Sequence, residues 1–297
     1  MSTTSTFDTH MAQVAAGEPL SAGDIRALAA SPDVLAVGML ADALRRRRHG
    51  VRTTFLRVAP VRIEDIGAIS IEAAAQEVRL TGAVETLDRA VAAIAAVRAA
   101  AGDRLVSAWS WRDVTRLAGG GDAGAVLGEL RRAGLDAVAE LPLDVMEDPA
   151  AALQQVVDAG LSPVRLTIDR ADAGARLDLL LGAARLRERF SGIVAINPLP
   201  MALATFRPTT GYEDVKMVAI ARLAAANVPS VQVDWQRYGP KLAQVALTFG
   251  ADDIDGVSAS DASPEGRRRA PLEEIRRNIQ AAGFTPAERD GRYVVAG

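Results

Sequence analysis

The sequence predicts an α/β chain folded as a (β/α)8 TIM-type barrel, and three observations predict it. From residue 51 onward, eight short β-rich runs alternate with mainly alanine-rich helical stretches. Strands separated by helices run parallel through crossovers, and that number suits a closed barrel. Gly134, Gly160 and Gly192 stand shortly before the fourth, fifth and sixth runs, where helix-stop signals belong. No glycine-rich fingerprint follows the first run, which disfavours the alternative of a doubly wound open sheet. A length of 297 residues suits one such barrel.

The elements follow in order. Residues 1–14 open Ser/Thr-rich and read as a disordered tail. Residues 15–50 read as an N-terminal helical extension. There Leu20-Ser21-Ala22-Gly23-Asp24 offers a helix start, and Leu35, Met39, Ala43 and Leu44 offer an apolar face. The barrel spans 51–257, with strands expected at 53–58, 77–81, 104–109, 137–141, 164–168, 193–197, 230–235 and 253–257. Helices are expected over 85–101, 122–133, 150–159, 172–190, 212–226 and 239–248. Residues 59–76 leave room for a short helix between the first two strands, but for no long functional loop. Residues 258–297 read as a C-terminal cap of the same domain: a polar stretch over 258–266, a helix over 272–282 and an extended end over 292–295.

Composition narrows the chemistry. Apolar residues make up 49% and charged residues 24%, ordinary for a globular protein. A net charge of −3 argues against nucleic acid as a partner, because neutralising phosphates needs a clustered basic surface. The one basic run, Arg45-Arg46-Arg47-Arg48-His49, reads as a solvated helix C-terminus, where cations suit the helix dipole. There is no cysteine, which excludes disulfides, thiolate nucleophiles, Cys-ligated zinc and Cys-ligated iron–sulfur clusters. No apolar run reaches the roughly 18 residues of a membrane span, and no signal-peptide pattern is present, so the expectation is a cytoplasmic protein without a membrane partner. His10 and His49 are the only histidines, too few and too scattered for a His-based triad or metal site. Asp252, Asp253 and Asp255 hint at a carboxylate metal site, but strand alternation turns Asp252 away from the other two. No metal is expected. Gly119-Gly120-Gly121 lacks the Lys–Ser/Thr pair of a phosphate-binding loop.

Barrels of this kind bind ligands where strands end and βα loops begin. The residues expected there as ligand contacts are Arg57, Trp109, Trp111, Asn197, Asp234, Trp235 and Arg237. Glu140, Asp169, Asp234 and Asp255 are the candidate catalytic carboxylates. Indoles stack, and amides and carboxylates fix orientation, so the set suits a polar ligand with a flat ring. The bland alternative is that these residues form ion pairs and caps at the barrel rim.

Three stretches resemble one family. Val34-Leu35-Ala36-Val37-Gly38-Met39-Leu40-Ala41-Asp42, followed by the arginines and His49-Gly50, is one. Pro208-Thr209-Thr210-Gly211-Tyr212-Glu213-Asp214, leading to Ala219-Ile220-Ala221-Arg222-Leu223, is another. The most specific runs from Val231-Gln232-Val233-Asp234-Trp235-Gln236-Arg237-Tyr238-Gly239-Pro240 to Phe249-Gly250-Ala251-Asp252-Asp253. They resemble the menaquinone-pathway (futalosine) radical S-adenosylmethionine enzymes, of the aminofutalosine synthase, dehypoxanthine futalosine cyclase and deazaflavin synthase type. The resemblance covers most of residues 15–293 and is strongest after about residue 205.

It also implies what has changed. The family carries a CxxxCxxC cluster loop after the first strand, where this chain has Ala59-Pro60-Val61-Arg62-Ile63-Glu64-Asp65-Ile66-Gly67. The family's glycine-rich turn after strand 2 is reduced to Thr81-Gly82-Ala83-Val84, and the Gly-His end of strand 5 is replaced by Thr167-Ile168-Asp169-Arg170. The expectation is therefore no iron–sulfur cluster and no S-adenosylmethionine cofactor. Expected partners are a small nucleoside-like ligand or a cysteine-bearing family relative. The competing readings are a re-purposed lyase, isomerase or hydrolase working through rim carboxylates, and a structural or regulatory role.

Overall fold

The computed structural model describes residues 6–201, 211–260, 262 and 271–295. The chain begins with α1 (Thr6–Ala16), α2 (Ala22–Ala30) and α3 (Val34–His49). Where a disordered tail was expected, α1 forms, because His10 and Val14 lie one turn apart and are both buried. A reciprocal capping box between Ser21 and Asp24 starts α2, and the Asp33 side chain caps α3 through the Ala36 amide. The basic run does end α3, but Arg45 is not solvated. It is fully buried and donates to the carbonyls of Gly50, Arg52 and Ala251 and to the Thr53 hydroxyl. Burial draws its pKa down to about 10.

The barrel follows: β1 (Arg52–Arg62), β2 (Glu77–Thr81), α4 (Leu87–Ala101), β3 (Leu105–Ser110), α5 (Trp111–Ala118), α6 (Ala123–Ala133), β4 (Ala137–Pro142), α7 (Pro149–Asp158), β5 (Val164–Thr167), α8 (Ala173–Arg189), β6 (Ile193–Asn197), α9 (Tyr212–Ala224), β7 (Ser230–Asp234), α10 (Trp235–Leu247) and β8 (Asp253–Ser258). The strands pair in parallel in chain order. β1 meets β8 along one edge and β2 along the other, so the barrel closes. Residues 63–76 between β1 and β2 hold only a 3-10 turn, Ile63–Ala68.

The C-terminal segment is more than a cap. After α11 (Pro271–Ala281), β9 (Thr285–Glu288) joins the sheet. It pairs with Arg52–Phe55 of β1, while β2 pairs with Val58–Arg62. Since β8 holds the other edge of β1, β9 fills the base of the barrel below β2. Past it, Arg289 is buried and gives two hydrogen bonds to Asp253, at 2.6 and 2.7 Å, with its guanidinium 3.8 Å from the Tyr293 ring centroid.

Candidate functional site

Strand alternation places charged side chains on the inner wall. Glu77 on β2 is fully buried and accepts from Arg165 of β5 (2.9 Å), Arg79 (2.8 Å) and Ser107 of β3 (2.6 Å). Arg79 also reaches Asp255 of β8 at 2.9 Å. A chain of alternating charge, Arg165–Glu77–Arg79–Asp255, thus crosses the barrel. Burial pushes the carboxyls of Glu77 and Asp255 up, but the guanidiniums outweigh it and hold both below the usual carboxylate range, Asp255 far below. These groups are ionised and locked.

Above this chain lies the mouth. Asp234 ends β7 and caps α10, its Oδ1 accepting the amides of Gln236 (2.9 Å) and Arg237 (2.8 Å). The cap presents Arg237 across the barrel to Glu140 of β4, where the pair meets at 2.6 Å with side chains 41% and 31% exposed. Gly256 has φ +72°, and a Cβ there would lie 3.3 Å from Asp234 Oδ2, so the β8 backbone gives the carboxylate its room. Burial raises the pKa of Glu140 against Arg237, and burial with the Asp255 charge raises that of Asp234. Trp109 sits at φ +45°, a left-handed conformation that bulky residues rarely hold. Its indole N–H donates to the Gly82 carbonyl at 3.0 Å. Arg79, Gly82, Trp109, Ser110, Glu140 and Arg237 line a mouth cavity of about 260 Å³. A larger open groove of about 810 Å³ runs beside α8, lined by Leu143, Met146, Leu179 and Leu186. The mouth is the stronger candidate because charged groups from several strand ends converge there.

The sequence-predicted residues separate into groups. Glu140, Asp234, Arg237 and Trp109 lie at the mouth, and Asp255 ends the charge chain below it. Asn197 ends β6, next to Thr167 in the β5–β6 register, and both are buried. Trp111 and Trp235 open α5 and α10 and their rings belong to the hydrophobic core, so neither is a strand-end contact. Arg57 turns to the C-terminal strand and ion-pairs Glu288 at 2.8 Å. Asp169 lies in the β5–α8 loop and meets the exposed Arg170 at 3.4 Å. Pro208, Thr209 and Thr210 of the second resembling stretch, and much of the polar stretch 258–266, lie outside the described residues.

Reading strand ends alone misses Arg79, Glu77 and Arg165, although a charge inside an apolar parallel strand is itself a signal. It also misses the frame around the β5 and β6 ends. Asp144 accepts the amides of Asp169, Arg170 and Ala171. Arg176 of α8 spends its guanidinium on the carbonyls of Asp169, Ala171 and Leu199. The Tyr238 hydroxyl donates to the Pro198 carbonyl.

The residues do not fit an iron–sulfur cluster. The chain has no thiol, and among the described residues no three His, Asp or Glu groups are placed to hold a metal ion. At the end of β1 the chain turns straight into Ile63–Ala68, and a Cβ on Gly82 would lie 3.2 Å from Glu64 Oε1.

Comparison with known proteins agrees with the resemblance read from sequence. Residues 201–296 match the family described as CofH/MqnC C-terminal region. The 5-amino-6-(D-ribitylamino)uracil–L-tyrosine 4-hydroxyphenyl transferase of Methanopyrus kandleri is 28% identical over 282 residues, covering 80% of this chain and 74% of that protein. Its Archaeoglobus fulgidus namesake is 34% identical over 131 residues, covering 40% of this chain and 38% of that protein. The aminodeoxyfutalosine synthase of Thermus thermophilus is 32% identical over 135 residues, covering 40% of this chain and 36% of that protein. The matched stretch thus spans little more than a third of the last two relatives. Among solved structures, the FeFe-hydrogenase maturase HydG from Carboxydothermus hydrogenoformans superimposes with a TM-score of 0.67 at 12% identity, covering 97% of this chain and 80% of that one. Methylornithine synthase (PylB) does so with a TM-score of 0.65 at 15% identity, covering 94% of this chain and 97% of that one. At these identities the two structures speak for the barrel alone. The chain is thus similar to CofH/MqnC-type proteins, most clearly over residues 201–296, and it contains no cysteine.

Proposed function

We propose that this protein is a cluster-free, cytoplasmic relative of the futalosine-pathway enzymes. On this reading it binds a nucleoside-like ligand at the barrel mouth, or supports a cysteine-bearing relative, without radical chemistry. The observation that carries the proposal is the charge chain from Arg165 to Asp255, with Arg237–Glu140 above it, filling the inner wall of a chain without cysteine. The turn after β2 supports the loss of the cofactor, since its Gly82 carbonyl is already bonded by Trp109.

A second reading, a re-purposed non-redox enzyme, is favoured by one observation. Glu140 and Asp234 have raised pKa values and sit at an open mouth, as acid–base groups require. Asp255 is a weaker candidate because Arg79 holds it ionised.

Native mass spectrometry with S-adenosylmethionine, futalosine, aminofutalosine and adenosine tests the proposal. Retention of a futalosine-type nucleoside but not of S-adenosylmethionine is expected. Retention of S-adenosylmethionine would contradict it. Turnover of a retained nucleoside that falls in Glu140→Gln would favour the enzyme reading.

A further inference from the structure

Most polar groups inside the barrel are paired, but one patch is not. Arg165 of β5 is level with Ala195 of β6, which is level with Ser230 of β7; Thr167 is level with Asn197. Arg165 reaches Glu77 across the barrel, so its face is the inner one, and Thr167, two residues on, shares it. The Arg165 Nε, Thr167 Oγ1, Asn197 Oδ1 and Ser230 Oγ atoms are all buried without a hydrogen-bond partner. Thr167 is 4% exposed and Asn197 3%. Leaving such groups unmet costs roughly 1–3 kcal/mol each, which a fold tolerates where something else meets them. The frame formed by Asp144, Arg176 and Tyr238 holds the loops that follow this wall, so the patch is rigid.

We infer that Asn197, with Thr167 beside it, reads the edge of a heterocycle that presents a hydrogen-bond donor and an acceptor side by side, as a lactam or an aminopyrimidine ring does. A carboxamide carries an acceptor oxygen and a donor nitrogen at matching spacing, and asparagine pairs with adenine in this bidentate way. The Thr167 hydroxyl gives or takes one further bond. The inference rests on the proposed binding of a nucleoside-like ligand and adds the chemistry by which the β5–β6 part of the inner wall recognises it.

Isothermal titration of wild type, Asn197→Leu and Thr167→Val with inosine, adenosine and purine riboside tests it; purine riboside keeps the ring but lacks the paired donor. Wild type is expected to bind inosine or adenosine at least about tenfold tighter than purine riboside, the worth of one well-made hydrogen bond. Asn197→Leu is expected to melt no lower than wild type, because the amide oxygen serves nothing inside the chain, and to lose that discrimination. Thr167→Val is expected to weaken inosine binding by a smaller factor. Discrimination retained in Asn197→Leu would overturn the inference and leave the nucleoside-binding mouth standing, as would equal wild-type affinity for inosine and purine riboside. A large fall in the melting temperature of Asn197→Leu would make the amide structural and overturn it too. No binding of any of the three compounds by wild type would overturn both the inference and the reading beneath it.

Discussion

Replacing Glu77 by alanine is expected to destabilise the fold by about 3–5 kcal/mol, read from the midpoint of denaturant unfolding. The carboxylate is fully buried and takes hydrogen bonds from Arg165, Arg79 and Ser107, so its loss strands a buried positive charge on Arg165. Arg79 keeps Asp255 and suffers less. The double variant Glu77→Leu/Arg165→Met removes both members of the buried pair and is expected to be more stable than either single change, because an apolar pair of similar volume carries no desolvation cost. The same chain governs acid behaviour. Glu77 and Asp255 have lowered pKa values in the fold, so their contribution is present above the ordinary carboxylate value of about 4 and is lost as pH falls through the lowered values. Melting temperatures should therefore owe no loss to this pair between pH 7 and 5. If Glu77→Ala unfolds at the wild-type denaturant concentration, the charge chain does not support the barrel.

Arg289→Ala is expected to cost a similar amount, about 3–5 kcal/mol, at the opposite end of the barrel. Asp253 would be left buried with Gln232 and Thr54 as its side-chain donors among the described residues. Tyr293 would lose the guanidinium that lies over its ring. Because β9 pairs with the first residues of β1, the amides of 52–55 should also exchange with deuterium faster in this variant than in wild type. Unchanged exchange there would mean that β9 holds the barrel base without the Arg289 anchor.

Much of this architecture is legible in the sequence, and the misses have physical causes. The spans 77–81 and 193–197 match β2 and β6 because short apolar runs with clear breaks leave little choice of boundary. The strand expected at 104–109 matches β3 to within a residue at each end, but Trp111, expected with its end, opens α5. The Ser110–Asp113 capping box was the signal that a helix starts there. In the first residues, Ser/Thr content hid the spacing of Phe7, His10, Met11 and Val14, which repeats at a helical period. β9 contains Pro286 and only four residues, and its strand character comes from pairing with β1, which no local pattern announces.

At the site, Glu140 and Arg237 stand at or just after strand ends and meet at the mouth, while Asn197 ends β6 buried beside Thr167. Trp111 and Trp235, expected at strand ends, open α5 and α10 and turn into the core, because the residue after a strand can already start a helix. Thr167 has a short side chain that gives no compositional signal; its unmet hydroxyl is visible only in three dimensions.

On the proposed function, this barrel builds no iron–sulfur cluster. Anaerobic reconstitution with iron and sulfide, followed by iron quantification and electron paramagnetic resonance in the presence of S-adenosylmethionine, tests it most directly. No stoichiometric iron after desalting, no reduced-cluster signal and no cleavage of S-adenosylmethionine are expected. Four irons per chain with a reducible cluster signal would contradict it.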